Sequence, residues 1–420
     1  MLIGVDMLGL PSPAPGERAE ERLGRLLVAA LIARDPVHRY VLYIREGHPA
    51  GRIPAGRHAL RVALPDEIDD RGSQRQGIRR VLDQNPDGLD WLVLLDPSAA
   101  FREAPMTAGP PASGVRVASV VADVGSIRPA DLIHHDAILA FSEATAEGLR
   151  RRLPSVASRV ARLPLALDEG WSPPGPTEDL DETLAELGIV GPFVLANLAN
   201  GPARSNLGGI LDAYVKLPER LRAGHQLVIA GVIDDPWAVV AYLHDRHCAE
   251  GLVLVGPVDQ PTLRTLYGRC AVFVSPGTDQ GPPLSLVEAM GCGAAVVAGL
   301  DWAQAEVIGD AGLFADPSDP AEIAERVSSL LVDPEMARYL GRQARARSLG
   351  WTWGPVVEGF LAALGLDEFE AKAARRKPSP SFSPEDRTPA LAIAAGPRSH
   401  GSRALAVPPR PGLTPPNVVV

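Results

Sequence analysis

Residues 272–299 read VFVSPGTDQGPPLSLVEAMGCGAAVVAG. An apolar β-type run leads into a Gly/Pro loop, an apolar helical run follows, and a second β-type run closes the stretch. At the start of such a helix the first amide N–H groups lack helical partners, and with the macrodipole they favour an anion. We expect the amides of Gly281 and of Leu284 to Leu286 to face that anion. The stretch predicts one β-loop-α-β unit with a phosphate-type site.

The same alternation of short apolar runs and helical patterns extends over most of the chain. This is typical of βαβ units and a parallel sheet. The predicted strands of the first half are Leu2–Val5, Tyr40–Ile44, Trp91–Leu95, Val115–Val121 and Ala137–Phe141. Those of the second half are Phe193–Ala196, Leu227–Ala230, Leu252–Val255, Ala271–Val274 and Ala294–Ala298. We predict an α/β protein with two doubly wound, Rossmann-like domains that face an interdomain cleft.

Sequence composition predicts the boundaries of the two domains. Residues 1–168 form the first predicted domain, and 189–350 form the second. Between them, residues 169–188 include the run Trp171-Ser172-Pro173-Pro174-Gly175, which breaks regular structure and marks a linker. Residues 369–420 are rich in Pro, Ser and Arg without apolar periodicity, so we predict a disordered tail.

Charge and cysteine content exclude several classes of function. The net charge of -10 disfavours a nucleic-acid partner, since phosphate binding needs clustered positive charge. The sequence contains no unbroken apolar run of roughly 18 residues and no basic leader, so a cytoplasmic location is the default expectation. Cys248, Cys270 and Cys292 lack the spacing of a zinc site, and His134-His135-Asp136 are adjacent residues that point apart. We therefore expect no metal.

The helix and second strand of the opening stretch carry a specific resemblance. Glu288-Ala289-Met290, Cys292-Gly293 and Val296-Val297-Ala298 match, in register, the donor-site motif E-x-F-G-x-P-x-x-E-A-M-A-C-G-x-P-V-V-A. This resembles glycosyltransferase family 4, the glycosyl transferases group 1, which have the GT-B fold. The similarity continues through 306–313 and 320–331 to the region near Trp351. It implies a last helix, 351–368, that returns to the first domain.

The resemblance also implies the roles of individual residues. The implied catalytic residues are Arg204, which would bind the donor diphosphate, Gln280, which would bind the donor sugar, and Asp123, the remainder of a His-Asp pair in the first domain. Glu288 would bind the ribose. An arginine suits the first role because it forms bidentate, charge-assisted bonds to phosphate. The remaining predicted donor-site residues are Ser205, Asn206, Gly256, Val258, Gly281, Leu284 and Ser285.

Several positions depart from the motif. Ser205 stands where the family has a lysine, and Gln280 stands where it has its first glutamate. Pro282-Pro283 replaces Phe-Gly, which removes two backbone donors, and Ser285 replaces a proline. The histidine before Asp123 is absent, and the first-domain loop 13–18 contains a single glycine. These departures indicate either altered or lost chemistry.

Two functions follow from the resemblance. The first is a retaining, metal-independent hexosyltransferase that uses a nucleoside-diphosphate sugar, without a cofactor, on a glycan, lipid or small-molecule acceptor. The alternative is a catalytically inactive relative that serves as a binding or scaffold protein. The sequence also contains a basic patch, formed by Arg150, Arg151, Arg152, Arg159 and Arg162. We expect this patch to face solvent or, at most, to make weak peripheral contact with the inner leaflet of a membrane.

Overall fold

The computed structural model describes residues 1–8, 19–45, 58–64, 76–95, 110–175, 180–199, 201–277, 281 and 283–366. Its first sheet is wholly parallel with strand order β3-β2-β1-β4-β5-β6-β7. These strands are β1 (Leu2–Asp6), β2 (Arg39–Arg45), β3 (Ala59–Leu64), β4 (Trp91–Leu94), β5 (Arg116–Val121), β6 (Ala137–Ala140) and β7 (Val160–Arg162). The accompanying helices are α1 (Ala19–Arg34), α2 (Gln76–Gln84) and α3 (Glu143–Arg152), with 3-10 turns at Val124–Ser126, Pro129–Asp131 and Pro154–Arg159.

The second sheet is also parallel and has the order β10-β9-β8-β11-β12-β13. Its strands are β8 (Phe193–Asn197), β9 (Gln226–Ala230), β10 (Leu252–Gly256), β11 (Val272–Ser275), β12 (Val296–Gly299) and β13 (Leu313–Ala315). Its helices are α4 (Leu180–Glu186), α5 (Leu207–Lys216), α6 (Glu219–Gly224), α7 (Pro236–His244), α8 (Gln260–Arg269), α9 (Leu284–Gly291), α10 (Trp302–Ile308), α11 (Pro320–Val332) and α12 (Pro334–Ser348).

Local sequence explains where these helices begin. Asp235, Asp259, Asp301, Asp319 and Asp333 each stand at an N-cap and accept a hydrogen bond from an amide of the first turn. Proline follows in the first turn of four of these five helices, where its missing N–H costs nothing. Apart from β3, β7 and β13, the strands are almost continuously buried because helices cover both faces of a parallel sheet.

The chain crosses between the two sheets twice, and the crossings lie together. The Leu167 amide donates to the Trp351 carbonyl at 3.0 Å, and Trp353 Nε1 donates to Asp168 Oδ1 at 2.9 Å. The last described helix, α13 (Trp353–Ala363), packs against α1. Its Val356 and Phe360 are fully buried in the core of the first sheet.

The predicted fold class, two Rossmann-like parallel-sheet units, is confirmed. Each predicted strand corresponds to an observed one, whereas β3, β7 and β13 are absent from the list of predicted strands. The proposed linker 169–188 is only partly irregular, because it contains α4. The predicted tail 369–420 lies outside the described residues. Among the helices that the structure describes, none has the length and apolar character needed to cross a membrane.

Candidate functional site

The loops at the carboxyl ends of both sheets meet across a cleft. A Cβ on Gly281 would lie 2.9 Å from the carbonyl oxygen of Ala122, which follows β5 of the first sheet. Arg204, in the loop after β8, forms an ion pair with Asp123 of the first domain. Parallel sheets bind ligands at this end. The residues that the motif predicted for the donor site therefore face the first domain.

Helix α9 follows the Gly281 loop and is buried along its whole length. All its residues, Leu284 to Gly291, are buried, and Pro283 at the N-cap supplies no side-chain hydrogen bond to the first turn. Leu284 belongs to the apolar core of the first domain, so the N-terminal end of the helix is in contact with that domain. Ser285 is 8% exposed. The Leu286 amide donates to the Pro283 carbonyl oxygen at 3.0 Å, so the prediction that it faces the anion is wrong. The amides of Gly281, Leu284 and Ser285 are the ones left to take that role at the start of α9.

Glu288 has a partner that the sequence did not suggest. The Glu288 carboxylate, 3% exposed as a residue, forms an ion pair with Arg22 of α1 in the first domain. The Arg22 guanidinium also lies over the Trp171 indole, with Cζ 5.6 Å from the ring centroid. The predicted ribose ligand is therefore held by a cation from the opposite side of the cleft.

Asp123 and Arg204 form the second ion pair across the cleft. The Asp123 carboxylate, 5% exposed as a residue, also accepts a hydrogen bond from the Gly125 amide at 2.7 Å and so caps the 3-10 turn that follows β5. The Arg204 side chain is about half exposed. This geometry brings two residues of the predicted catalytic set together, although they are 81 positions apart in the sequence.

Asn206 links its own loop to the loops that contain Pro276 and Pro317. It adopts the left-handed conformation, with φ of 58°, and its Oδ1 accepts from the Gly209 amide to cap α5. Its Nδ2 donates to the carbonyl oxygens of Pro276, at 3.2 Å, and Pro317, at 2.7 Å. Asparagine is one of the few residues besides glycine that tolerate this backbone conformation. Asn206 therefore fixes the loop that carries Arg204.

The other predicted residues occupy the surroundings of these pairs. Ser205 precedes Asn206, and its amide donates to the Gly201 carbonyl at 3.1 Å. Gly256 ends β10 with φ of 65°. Val258 is half-buried against the core of the second sheet. Gln280 lies outside the described residues.

The arginines of the predicted basic patch have internal partners. Arg150 pairs with Glu143, and Arg159 donates to the carbonyl oxygen of His135 at 2.6 Å. Arg162 Nη2 donates to Glu306 Oε1 of α10 at 2.7 Å. Glu306 Oε2 accepts from the Glu143 amide at 2.9 Å, so Glu306 makes two further polar contacts with the first domain.

The His134-His135-Asp136 run is structural. His135 is fully buried and its Nδ1 lies 2.7 Å from Ser119 Oγ, while Asp136 Oδ2 accepts from the Val117 amide at 2.8 Å. Burial, with Arg159 and His134 nearby, lowers the pKa of His135 to about 3. The imidazole is consequently neutral over the physiological range.

Comparison with known families agrees with this geometry. Residues 181–347 match the model of the family described as glycosyl transferases group 1. This region is a glycosyl transferases group 1 domain. It contains Arg204, Ser285 and Glu288.

Two Escherichia coli proteins are similar to the chain in sequence. One is O-antigen chain mannosyltransferase B, 29% identical over 217 residues, which cover 51% of this chain and 57% of the relative. The other is serotype-specific mannosyltransferase WbdA, 25% identical over 236 residues, which cover 54% of this chain and 29% of the relative. The alignments span little more than half of the first relative and less than a third of the second.

Solved structures establish the fold of the whole described chain. HepE from Anabaena, crystallised in complex with UDP and glucose, superposes with a TM-score of 0.64 at 14% identity. The match covers 89% of this chain and 99% of HepE. The chain has the GT-B fold, as the motif resemblance implied.

Proposed function

We propose that the protein is a retaining, metal-independent glycosyltransferase that moves a hexose from a nucleoside-diphosphate sugar to a glycan, lipid or small-molecule acceptor held by the first domain. The observation that carries the proposal is the placement of Arg204, the start of α9 and Glu288 on one edge of a group 1 domain, facing the first domain. The names of the two Escherichia coli relatives support mannose as the first sugar to test.

Each group has a chemical task in this proposal. In the reaction the bond between the anomeric carbon and the diphosphate oxygen breaks, and a bond from that carbon to an acceptor hydroxyl forms on the same face. Arg204 and the amides at the start of α9 stabilise the negative charge that develops on the departing diphosphate. The hydroxyl proton leaves with that diphosphate. Positive charge from Arg204 supports a reaction without a metal ion.

The remaining roles follow the predicted set. Glu288 accepts hydrogen bonds from the ribose hydroxyls, and Gln280 holds sugar hydroxyls through its amide. Asp123 lies opposite Arg204 on the first-domain side, which supports a role at the acceptor side of the reaction centre. Asn206 positions the Arg204 loop. We propose action at the cytoplasmic side of the membrane.

Thermal unfolding with UDP, GDP and ADP is the first test, since a ligand that binds only the native state raises the unfolding midpoint. We expect one nucleotide to raise it, and we expect Arg204→Met to weaken binding by roughly 10-fold or more, through loss of a charge-assisted hydrogen bond. Arg128→Met is the matched control, because Arg128 has the same side-chain exposure and also pairs with an aspartate, Asp131.

Transfer is then assayed with the sugar conjugates of the nucleotide that binds, in the presence and absence of EDTA. We expect a product with the donor's anomeric configuration, unaffected by the chelator. Binding without transfer from any conjugate to mannoside, glucoside or lipid-linked acceptors would instead favour the inactive relative. A midpoint that no nucleotide shifts at millimolar concentration would contradict both a donor site and the proposed activity.

A further inference from the structure

The buried position of Glu288 poses an electrostatic problem. It lies on a helix whose residues are all buried, and its side chain is 4% exposed. An ionised carboxylate in such surroundings costs several kcal/mol unless a cation and hydrogen bonds compensate it. Without compensation, burial raises the pKa of a carboxyl group, and the group becomes neutral. A neutral carboxyl group is a poorer acceptor for two hydroxyl groups than a carboxylate.

Arg22 supplies the compensating charge, and its position is fixed by a second contact. Its guanidinium pairs with Glu288 and lies over Trp171, whose ring centroid is 5.9 Å from that of Tyr267 in an edge arrangement. The Tyr267 hydroxyl in turn accepts from Asn197 Nδ2 at 2.8 Å, at the end of β8. Stacking on an aromatic face and pairing with a carboxylate together suit arginine better than lysine.

The pairing joins the two domains at the predicted ribose site. Arg22 contacts Glu288 Oε1, and a carboxylate can accept roughly four hydrogen bonds, so ribose hydroxyls can bind to Glu288 while Arg22 remains in place. Arg22 belongs to the first domain and Glu288 to the group 1 domain. It also brings a positive charge to a cleft in which Ser205 stands at the position of the motif lysine.

We propose that Arg22 is a positioning residue of the donor site, which keeps Glu288 ionised and directed toward the ribose of the nucleotide. The proposal rests on the proposed function, because it assigns ribose binding to Glu288. It makes donor affinity depend on a residue of the acceptor-side domain. Loss of Arg22 therefore weakens nucleotide binding, and it does so more severely at low pH.

The other charged or titratable groups on the elements packed around α9 do not produce this pH dependence. Among them are Glu21 and Arg25 of α1, Arg264, Tyr267 and Cys270 at α8, Cys292, Glu306 of α10 and Arg345 of α12. Burial raises the pKa of Cys292 to about 12 and raises those of Tyr267 and Cys270 as well. These groups stay neutral between pH 5.5 and 8. Glu21 and Glu306 are partly exposed and are present in every variant.

The experiment measures the dissociation constants of UDP, GDP and ADP, by calorimetry on the full chain, from pH 5.5 to 8. The variants are Arg22→Met, Arg22→Gln and Arg22→Lys, with Arg34→Met as the control because Arg34 is exposed at the end of the same helix. Dividing each variant's constant by that of wild type at the same pH cancels the ionisation of the nucleotide itself. The 2′-deoxy forms of the same nucleotides isolate the contribution of the ribose.

We expect Arg22→Met and Arg22→Gln to lose about 10-fold in affinity at pH 8 and about 100-fold at pH 5.5, the added loss reflecting protonation of Glu288. Arg22→Lys restores a flat ratio, since it retains the charge. The loss shrinks for the 2′-deoxynucleotide, and Glu288→Gln combined with Arg22→Met abolishes the pH dependence. A structural role alone would produce neither the pH dependence nor the dependence on the 2′-hydroxyl.

Two results overturn the proposal while the proposed function stands: equal affinity of wild type and Arg22→Met at every pH, or tighter binding by Arg22→Met, which would make Arg22 a competitor of the ribose. Arg22→Gln decides the question if Arg22→Met does not fold. Wild type that binds none of the three nucleotides overturns the proposal together with the proposed function. That outcome is separate, because it is seen before any variant is compared.

Discussion

Gly277 is a position at which the addition of a single methyl group should disrupt the donor site. It lies two residues after β11, and a Cβ there would lie 2.5 Å from the Arg204 carbonyl oxygen and 3.3 Å from the Ser205 Cα. Its φ is outside the left-handed region, so the obstacle to a side chain is contact rather than backbone strain. The Gly277 carbonyl meanwhile accepts from Gln304 Nε2 at 2.6 Å, which holds the loop from its other side.

Gly277→Ala must therefore separate two backbone segments by roughly 1 Å to reach ordinary van der Waals contact. Overpacking of this kind costs about 1–3 kcal/mol of stability. Because the displaced segment carries Arg204, we also expect nucleotide affinity to fall, and the transfer rate to fall by about 100-fold, the scale that a 1 Å misplacement produces. Calorimetric titration and the unfolding midpoint, measured on the same preparation, check both expectations.

Gly208→Ala provides the matched control. Gly208 lies in the first turn of α5, four residues after Arg204, and a Cβ there meets no atom within 4 Å. Alanine in a helix is about as stable as glycine or better, so we expect stability within about 1 kcal/mol of wild type and unchanged nucleotide affinity. If Gly277→Ala behaves like this control in both measurements, the close approach of the two loops, and the reasoning built on it, are wrong.

Three further predictions concern the surroundings of the site. Asn206→Ala removes the donor to two backbone carbonyls and the cap of α5, so we expect a loss of about 1–3 kcal/mol by denaturant titration, and an unchanged midpoint would refute this role. Folding lowers the pKa of His135 to about 3, so as the pH falls the unfolded chain takes up a proton at this residue before the folded chain does. The free energy of unfolding should therefore fall by up to about 1.4 kcal/mol per pH unit between pH 6.5 and pH 3. His135→Asn should flatten that slope, and an equally steep slope in the variant would exclude His135 as its origin. Glu306→Gln weakens the partly exposed pair with Arg162 by at most about 1 kcal/mol, so small-angle scattering should show a slightly larger radius of gyration, and an identical radius would show that the pair does not hold the domains together.

The sequence alone determined the fold class and the donor-side elements. Strand and helix periodicities are local properties of the sequence. Because parallel strands are buried on both faces, each one appears as an apolar run that can be recognised without knowing which strands lie beside it. The stretch 272–299 was sufficient to locate β11, α9 and β12, and its motif placed Glu288 on the helix. The strands β3, β7 and β13 were missed because they are only partly buried and none has an apolar run longer than three residues.

Only the tertiary structure decided which residues complete the site. Arg22 and Glu288 are separated by most of the chain, as are Asp123 and Arg204 by 81 positions, and no spacing rule connects residues on different domains. The sequence predicted that the arginine patch near residue 150 faces solvent or touches a membrane. In the structure its arginines donate to carbonyl oxygens and carboxylates that folding brings close to them. Sequence patterns encode the period of an element, whereas the partner of a charged side chain depends on how two separately folded sheets face each other.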